Sequence, residues 1–232
     1  MSTTTTKPFK LYHFYVCPYC KPIYYFVNKT QIPHEAIHLD LLKGENRTPE
    51  YLAINPFGRV PAIVEEDGFV LFESSTVLKY LCNTRDVPDH WYPKDPRKRS
   101  QVDLFFDWYQ VATKAFSAYF YSKNPELPNR VPVVEDPQEL LEKTLGELEK
   151  TFLRDRKFLT SDEISLADIQ IIFFFGNLDR VKYELTKFPG LQGWKDRVLA
   201  TDIKPEYEKY LVESSKAFED MKKAFANKAE SK

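Results

Sequence analysis

Cys17-Pro18-Tyr19-Cys20 sets two thiols three residues apart, directly after the apolar run Phe9 to Val16. Thiols matter chemically once ionised, since the thiolate is both the nucleophile and the metal ligand. A proline between them suits a helix start, where its missing N–H costs no hydrogen bond. The spare N–H groups of that first turn, and the positive end of the helix dipole, then favour a thiolate on Cys17. Cys17 is the candidate nucleophile and Cys20 its candidate partner.

The same pair can be read as half of a structural zinc site, but tetrahedral zinc needs two more ligands at compatible spacing. Cys82 stands alone in an apolar stretch, and His34 and His38 are four apart in a segment that reads as a strand. No metal is expected.

Positioning the thiols falls to the first eighty residues. Phe9 to Tyr15 reads as a strand, Tyr19 to Lys29 as a helix, and Glu35 to Leu39 as a second strand. Those lengths predict a right-handed βαβ unit with parallel strands. Thr48-Pro49-Glu50 is a helix start, with a capping hydroxyl, a first-position proline and an acid in the first turn. Ala62 to Glu65 and Phe69 to Phe72 flank Asp67-Gly68, a hairpin signal, and a helix follows from Ser75 to about Asn83. CxxC at the first strand-to-helix junction of such a unit is the layout of a thioredoxin-like domain. Val60-Pro61, opening the third strand, suits either a cis peptide or an ordinary trans proline.

The 232 residues are enough for two small domains. We place a thioredoxin-like domain at 8–85, a linker at 86–98 and an all-helical domain at 99–232. In the linker Pro88, Pro93 and Pro96 break regular structure. Gln101 to Ser122 then reads as a long aromatic-rich helix, followed by a loop containing Pro125, Pro128 and Pro132. Asp136-Pro137-Gln138-Glu139 is a capping-box pattern, and Leu141, Leu145, Leu148 and Phe152 recur at helical spacing. Ser165-Leu166-Ala167-Asp168 is a second such pattern, opening a helix so apolar that it belongs at the centre of its domain. Tyr207 to Phe225 is an amphipathic helix candidate.

Charge and composition exclude several function classes. Lys plus Arg (33) nearly balance Asp plus Glu (34), so nothing calls for a polyanionic partner, and nucleic acid is not expected. The basic cluster Lys94, Arg97, Lys98 and Arg99 reads as a solvated helix start. Ile169 to Phe175 is interrupted by Gln170 and is too short to span a bilayer, so no membrane partner is expected. Met1 to Lys7 is threonine-rich without an apolar signal core, and three cysteines suit a reducing compartment. A cytoplasmic protein is expected, where CxxC is more often catalytic than structural.

With these motifs the chain resembles the cytosolic glutathione transferases, especially the theta and omega types. Cys17 to Phe26 matches the active-site turn and first helix, Asn55-Pro56-Phe57-Gly58-Arg59-Val60-Pro61 the approach to that family's cis-proline, and Glu73-Ser74-Ser75 its glutathione-binding Glu-Ser pair. The resemblance covers roughly residues 8 to 200. It implies that the Val60 backbone, beside Pro61, pairs with the cysteinyl moiety of glutathione, and that Glu73 and Ser74 hold the γ-glutamyl end. It places Arg47 and Arg59 near the glycine carboxylate. It also implies a homodimer, in which Asp103 reaches the neighbouring subunit's glutathione. Asp168 is then a structural cap, glutathione is a co-substrate, and no cofactor is tightly bound.

Two positions depart from the theta pattern. Asn46 stands where many theta proteins have a histidine, and Cys17 stands where they have a serine. Tyr12 and Tyr15 are out of register with the tyrosine-dependent classes and read as strand packing. A cysteine there is the omega and glutaredoxin choice, so glutathione-dependent thiol transfer leads, with Cys20 able to resolve the mixed disulfide. The alternatives are conjugation of glutathione to small electrophiles and a non-catalytic binding module.

Overall fold

The computed structural model describes residues 7–127 and 133–230, which fall into two compact units, 1–88 and 89–232. The threonine-rich start before Lys7, and Pro128 and Pro132, lie outside the described residues.

The first unit runs β1 (Phe9–His13), α1 (Lys21–Lys29), β2 (His34–His38), α2 (Pro49–Ile54), β3 (Ala62–Val64), β4 (Val70–Phe72) and α3 (Ser74–Thr84). Its sheet has the order β2-β1-β3-β4, with β1 and β2 parallel and the other pairs antiparallel. That is the thioredoxin-like arrangement expected. Thr48 caps α2 by accepting from the Tyr51 N–H. At the β3–β4 hairpin Gly68 takes φ +89°, a left-handed value that glycine adopts without steric cost. Phe9, Leu11, Ile23, Phe26, Ile63, Val77, Leu78 and Leu81 are buried, so the sheet and its helices enclose one apolar core.

Two boundaries beside the thiols differ from expectation. β1 ends at His13, because the Phe14 carbonyl turns to accept the Cys17 N–H at 3.0 Å. α1 begins at Lys21 with Cys20 at its N-cap, so Pro18 lies in the preceding turn and Pro22 occupies the first helical turn. Pro22 has no N–H to return to the Pro18 carbonyl, which keeps the helical ladder from starting earlier.

The second unit is helical: α4 (Pro96–Ser122), α5 (Pro137–Glu147), α6 (Leu166–Arg180), α7 (Pro189–Leu199) and α8 (Lys204–Glu230). α4 starts five residues before the expected Gln101, inside the stretch read as linker. Asp95 caps it by accepting from the Lys98 N–H, and Pro96 sits in its first turn. α5 leads into a π-helical segment, Leu148–Leu153, that the spacing did not signal, since Leu148 and Phe152 are buried as an α-helix would bury them. Every residue of α6 from Leu166 to Leu178 is buried, so this helix is the centre of the unit. Among the described residues no helix is long and apolar enough to cross a membrane.

Candidate functional site

The turn between β1 and α1 presents Cys17. Its N–H is tied to the Phe14 carbonyl, and its own carbonyl accepts from Cys20 N–H at 3.0 Å and Lys21 N–H at 3.1 Å. Backbone bonds on both sides thus fix the residue while its side chain stays partly exposed. Cys20 is 1% exposed.

The two thiols are driven apart electrically. A hydrogen bond from the Cys20 thiol is the largest influence holding the Cys17 thiol below its usual range. Burial opposes it, and the Tyr19 and Cys20 N–H groups add to it. Burial pushes the Cys20 thiol well up, and the bond it gives to Cys17 and the Cys17 charge push it further. Cys17 is thus the more acidic of the two thiols, with Cys20 as its hydrogen-bond donor. The activating N–H groups belong to the turn and the N-cap, not to a helical turn beginning at Pro18 as expected.

Val60-Pro61 is cis, which decides between the two readings of that bond. The carbonyl just before it, that of Arg59, accepts from the Tyr51 hydroxyl at 2.6 Å and from Asn55 Nδ2 at 2.8 Å. Tyr51 and Asn55 were not singled out from the sequence. Asn55 carried a faint signal, as a polar residue before proline that ends up 2% exposed.

Arg47 donates to the Phe57 carbonyl at 3.3 Å, and Asn46 donates to the Gly58 carbonyl at 2.6 Å. Gly58 has φ +59°, and a Cβ there would meet Arg47 Nη1 at 2.7 Å and the Asn46 carbonyl at 2.8 Å. Asn46, at the departure from the theta pattern, therefore latches the loop leading to Pro61. The Arg59 side chain is exposed.

Glu73 precedes α3 with φ +70°, a left-handed conformation that is uncommon for a residue with a side chain. It caps nothing, so its exposed carboxylate is left for other use, and Ser74 and Ser75 are buried behind it. Tyr12 of β1 packs on Tyr51 with ring centroids 5.6 Å apart, in line with strand packing, whereas Tyr15 lies in the turn after β1 and packs on His38 at 5.1 Å. Asp103 belongs to the helical unit, where both of its carboxylate oxygens accept from the Tyr92 hydroxyl, at 2.9 and 3.1 Å.

Asp168 is buried in the helical unit. It closes a capping box with Ser165 and accepts from Leu159 N–H and Trp194 Nε1. That is the structural role expected of it.

Comparison with known proteins covers both units. Residues 16–84 match the glutathione S-transferase N-terminal domain and residues 108–202 the glutathione S-transferase C-terminal domain. A mouse relative, glutathione S-transferase theta-3, is 34% identical over 191 residues, 78% of each chain. Human glutathione transferase theta-2 in complex with glutathione and an unknown ligand superposes with a TM-score of 0.79, at 28% identity over 91% of each chain. A human theta-class enzyme in complex with the glutathione conjugate of 1-menaphthyl sulfate gives a TM-score of 0.80, at 28% identity over 92% of this chain and 91% of that one.

Proposed function

Because the chain belongs to the glutathione S-transferase family and is theta-like over both domains, we propose that it conjugates glutathione to small electrophiles. Thiol transfer led on the cysteine motif alone; the theta-class likeness moves conjugation ahead of it. It also favours an enzyme over a binding module.

One arrangement carries the proposal: a partly exposed thiol, a cis-proline loop and the open N-terminus of α3 belong to a single thioredoxin-like unit. The Val60 backbone, beside Pro61, pairs with the cysteinyl amide of glutathione. Ser74, the Glu73 carboxylate and the α3 N–H groups hold the γ-glutamyl end, whose carboxylate suits a helix N-terminus and whose ammonium suits Glu73. Arg47 and Arg59 supply positive charge for the glycine carboxylate. Asp103 contributes from a second subunit of a homodimer. Cys17, as thiol, donates to the glutathione sulfur and stabilises its thiolate, which attacks the electrophile.

A second reading rests on the depressed Cys17 thiol. As thiolate, Cys17 attacks a glutathionylated substrate at the glutathione sulfur. The substrate leaves as a thiolate that takes up a proton, and Cys17 is left joined to glutathione. A second glutathione attacks that bond, restoring Cys17 and leaving as glutathione disulfide.

Calorimetry with glutathione, followed by two assays on one preparation, tests both readings. Glutathione binding with turnover of an aryl or alkyl halide is the expected result. Thiol transfer without conjugation would replace the first reading with the second. No binding at millimolar glutathione would remove both.

A further inference from the structure

Tyr51 lies in the first turn of α2 and Asn55 caps its end, and both donate to one backbone oxygen, that of Arg59, at 2.6 and 2.8 Å. The two side chains are 3% and 2% exposed, so these bonds are made out of contact with water. The two carbonyls before it in the loop are held as well, that of Phe57 by Arg47 and that of Gly58 by Asn46. Three consecutive carbonyls are thus fixed by side chains from 46 to 55, and only Arg59 receives two donors. Each donor is itself held. The Asn55 Oδ1 accepts from Phe57 N–H at 3.1 Å, and its carbonyl accepts from Gly58 N–H at 2.8 Å. The Tyr51 N–H gives to the capping Thr48 hydroxyl, and its ring lies on Tyr12. Burial pushes the Tyr51 hydroxyl above its usual range, so it remains a donor.

The Arg59 oxygen and the Val60 N–H belong to one planar, trans peptide unit, in which the two point in opposite directions. We propose that Tyr51, with Asn55, is a positioning residue for glutathione: by holding the Arg59 oxygen it aims the Val60 N–H at the cysteinyl carbonyl of the tripeptide. This rests on the glutathione reading of the site. Turning the peptide plane over would set the Arg59 oxygen against the ligand's carbonyl, acceptor against acceptor. It would also strip two buried donors of their partner, which makes that orientation unfavourable while both are present. With one donor gone the two orientations compete, and the apparent affinity falls by the fraction that remains competent. The sulfur is not touched by this device, so its effect belongs to binding.

The test uses the full chain with Tyr51→Phe, which removes the hydroxyl and keeps the ring on Tyr12. Calorimetry should show the glutathione dissociation constant raised about fivefold. In conjugation assays the loss should fall on the KM for glutathione, with kcat at saturating glutathione held within about twofold. The Val60 amide gives the direct readout, in spectra of chain labelled at the valine nitrogens, its signal identified by its absence in Val60→Ile. Glutathione should move that signal less in Tyr51→Phe than in wild type. Asn55→Asp removes the other donor and keeps the acceptor for Phe57 N–H. It should act in the same direction, and it decides the matter if circular dichroism shows Tyr51→Phe unfolded. Wild-type affinity together with a wild-type response of the Val60 amide in the folded variant overturns the proposal and leaves the glutathione reading standing. A wild-type chain that binds no glutathione overturns both.

Discussion

The Trp194 indole N–H donates to Asp168 Oδ1 at 2.8 Å, inside a carboxylate site that also accepts from Leu159 N–H, Ser165 N–H and the Ser165 hydroxyl. One buried side chain thus joins the loop before α6, the start of α6 and the middle of α7. Asp168→Ala strands several buried donors, each costing about 1–3 kcal/mol, on top of about 1 kcal/mol for the lost cap. Urea unfolding followed by circular dichroism should show a loss of about 3 kcal/mol or more. Trp194→Ala would lose large apolar contacts as well, so Trp194→Phe is the cleaner partner variant and should lose less than Asp168→Ala. A near-neutral Asp168→Ala would contradict this account.

Cys17→Ser separates the two chemistries. A serine hydroxyl forms no disulfide, yet it donates to a glutathione thiolate. Thiol transfer should vanish, while conjugation of an alkyl or aryl halide persists or rises. Steady-state assays of both activities on the same variant check this. Loss of conjugation together with thiol transfer would mean that the sulfur itself is needed.

Cys20→Ala removes the largest influence holding the Cys17 thiol down. The pH midpoint for alkylation of Cys17 by iodoacetamide should rise. Cys20→Ser, which keeps a donor, should shift it less and should retain most turnover of glutathionylated substrates, because free glutathione resolves the intermediate. Reduction of protein disulfides should fall in both variants. Collapse of every activity in Cys20→Ser would rule out resolution by free glutathione.

His13 gives the fold a pH dependence of known sign. Burial, then the charges of His38, Lys21 and His34, lower its pKa from 6.5 to about 4. The unfolded chain therefore binds the proton more readily than the native one between those values. Stability from this group is present above pH 6.5 and is lost as the pH falls toward 4. Melting temperatures across that window should drop with acidity, and His13→Gln should flatten the slope. An unchanged slope in the variant would assign the effect to other groups.

Gly58→Ala should weaken glutathione binding and lower stability, because the new methyl meets the Asn46 carbonyl and the Arg47 guanidinium from a left-handed backbone. Arg47 can swing aside; the Asn46 carbonyl cannot without moving the loop that Asn46 latches. Calorimetry should report a raised dissociation constant, and wild-type affinity in the variant would show the loop to be more yielding than its contacts imply.

Much of the fold could be read in the sequence because its parts are local. Asp67-Gly68 marks its turn and Thr48-Pro49 its helix start by chemistry confined to a few residues, and the Ser165–Asp168 box does the same. What escaped the reading depends on partners far along the chain or on backbone geometry. Tyr51 and Asn55 matter because both reach the Arg59 carbonyl, and nothing in their spacing announces it. The π-helical turn at Leu148–Leu153 keeps the buried positions of an ordinary helix, so periodicity does not see it. The start of α4 was hidden by Pro96, which was read as a breaker when its place after the capping Asp95 makes it an initiator.

The Cys17 backbone is held by main-chain hydrogen bonds before and after it, to Phe14, Cys20 and Lys21. The scaffold therefore does not depend on which atom sits at the tip of that residue. One nucleotide change converts a cysteine codon into a serine codon, and here such a change would leave the sheet, the cis-proline loop and the α3 N-terminus where they are. The chemistry offered at this turn can therefore be exchanged with little penalty in folding.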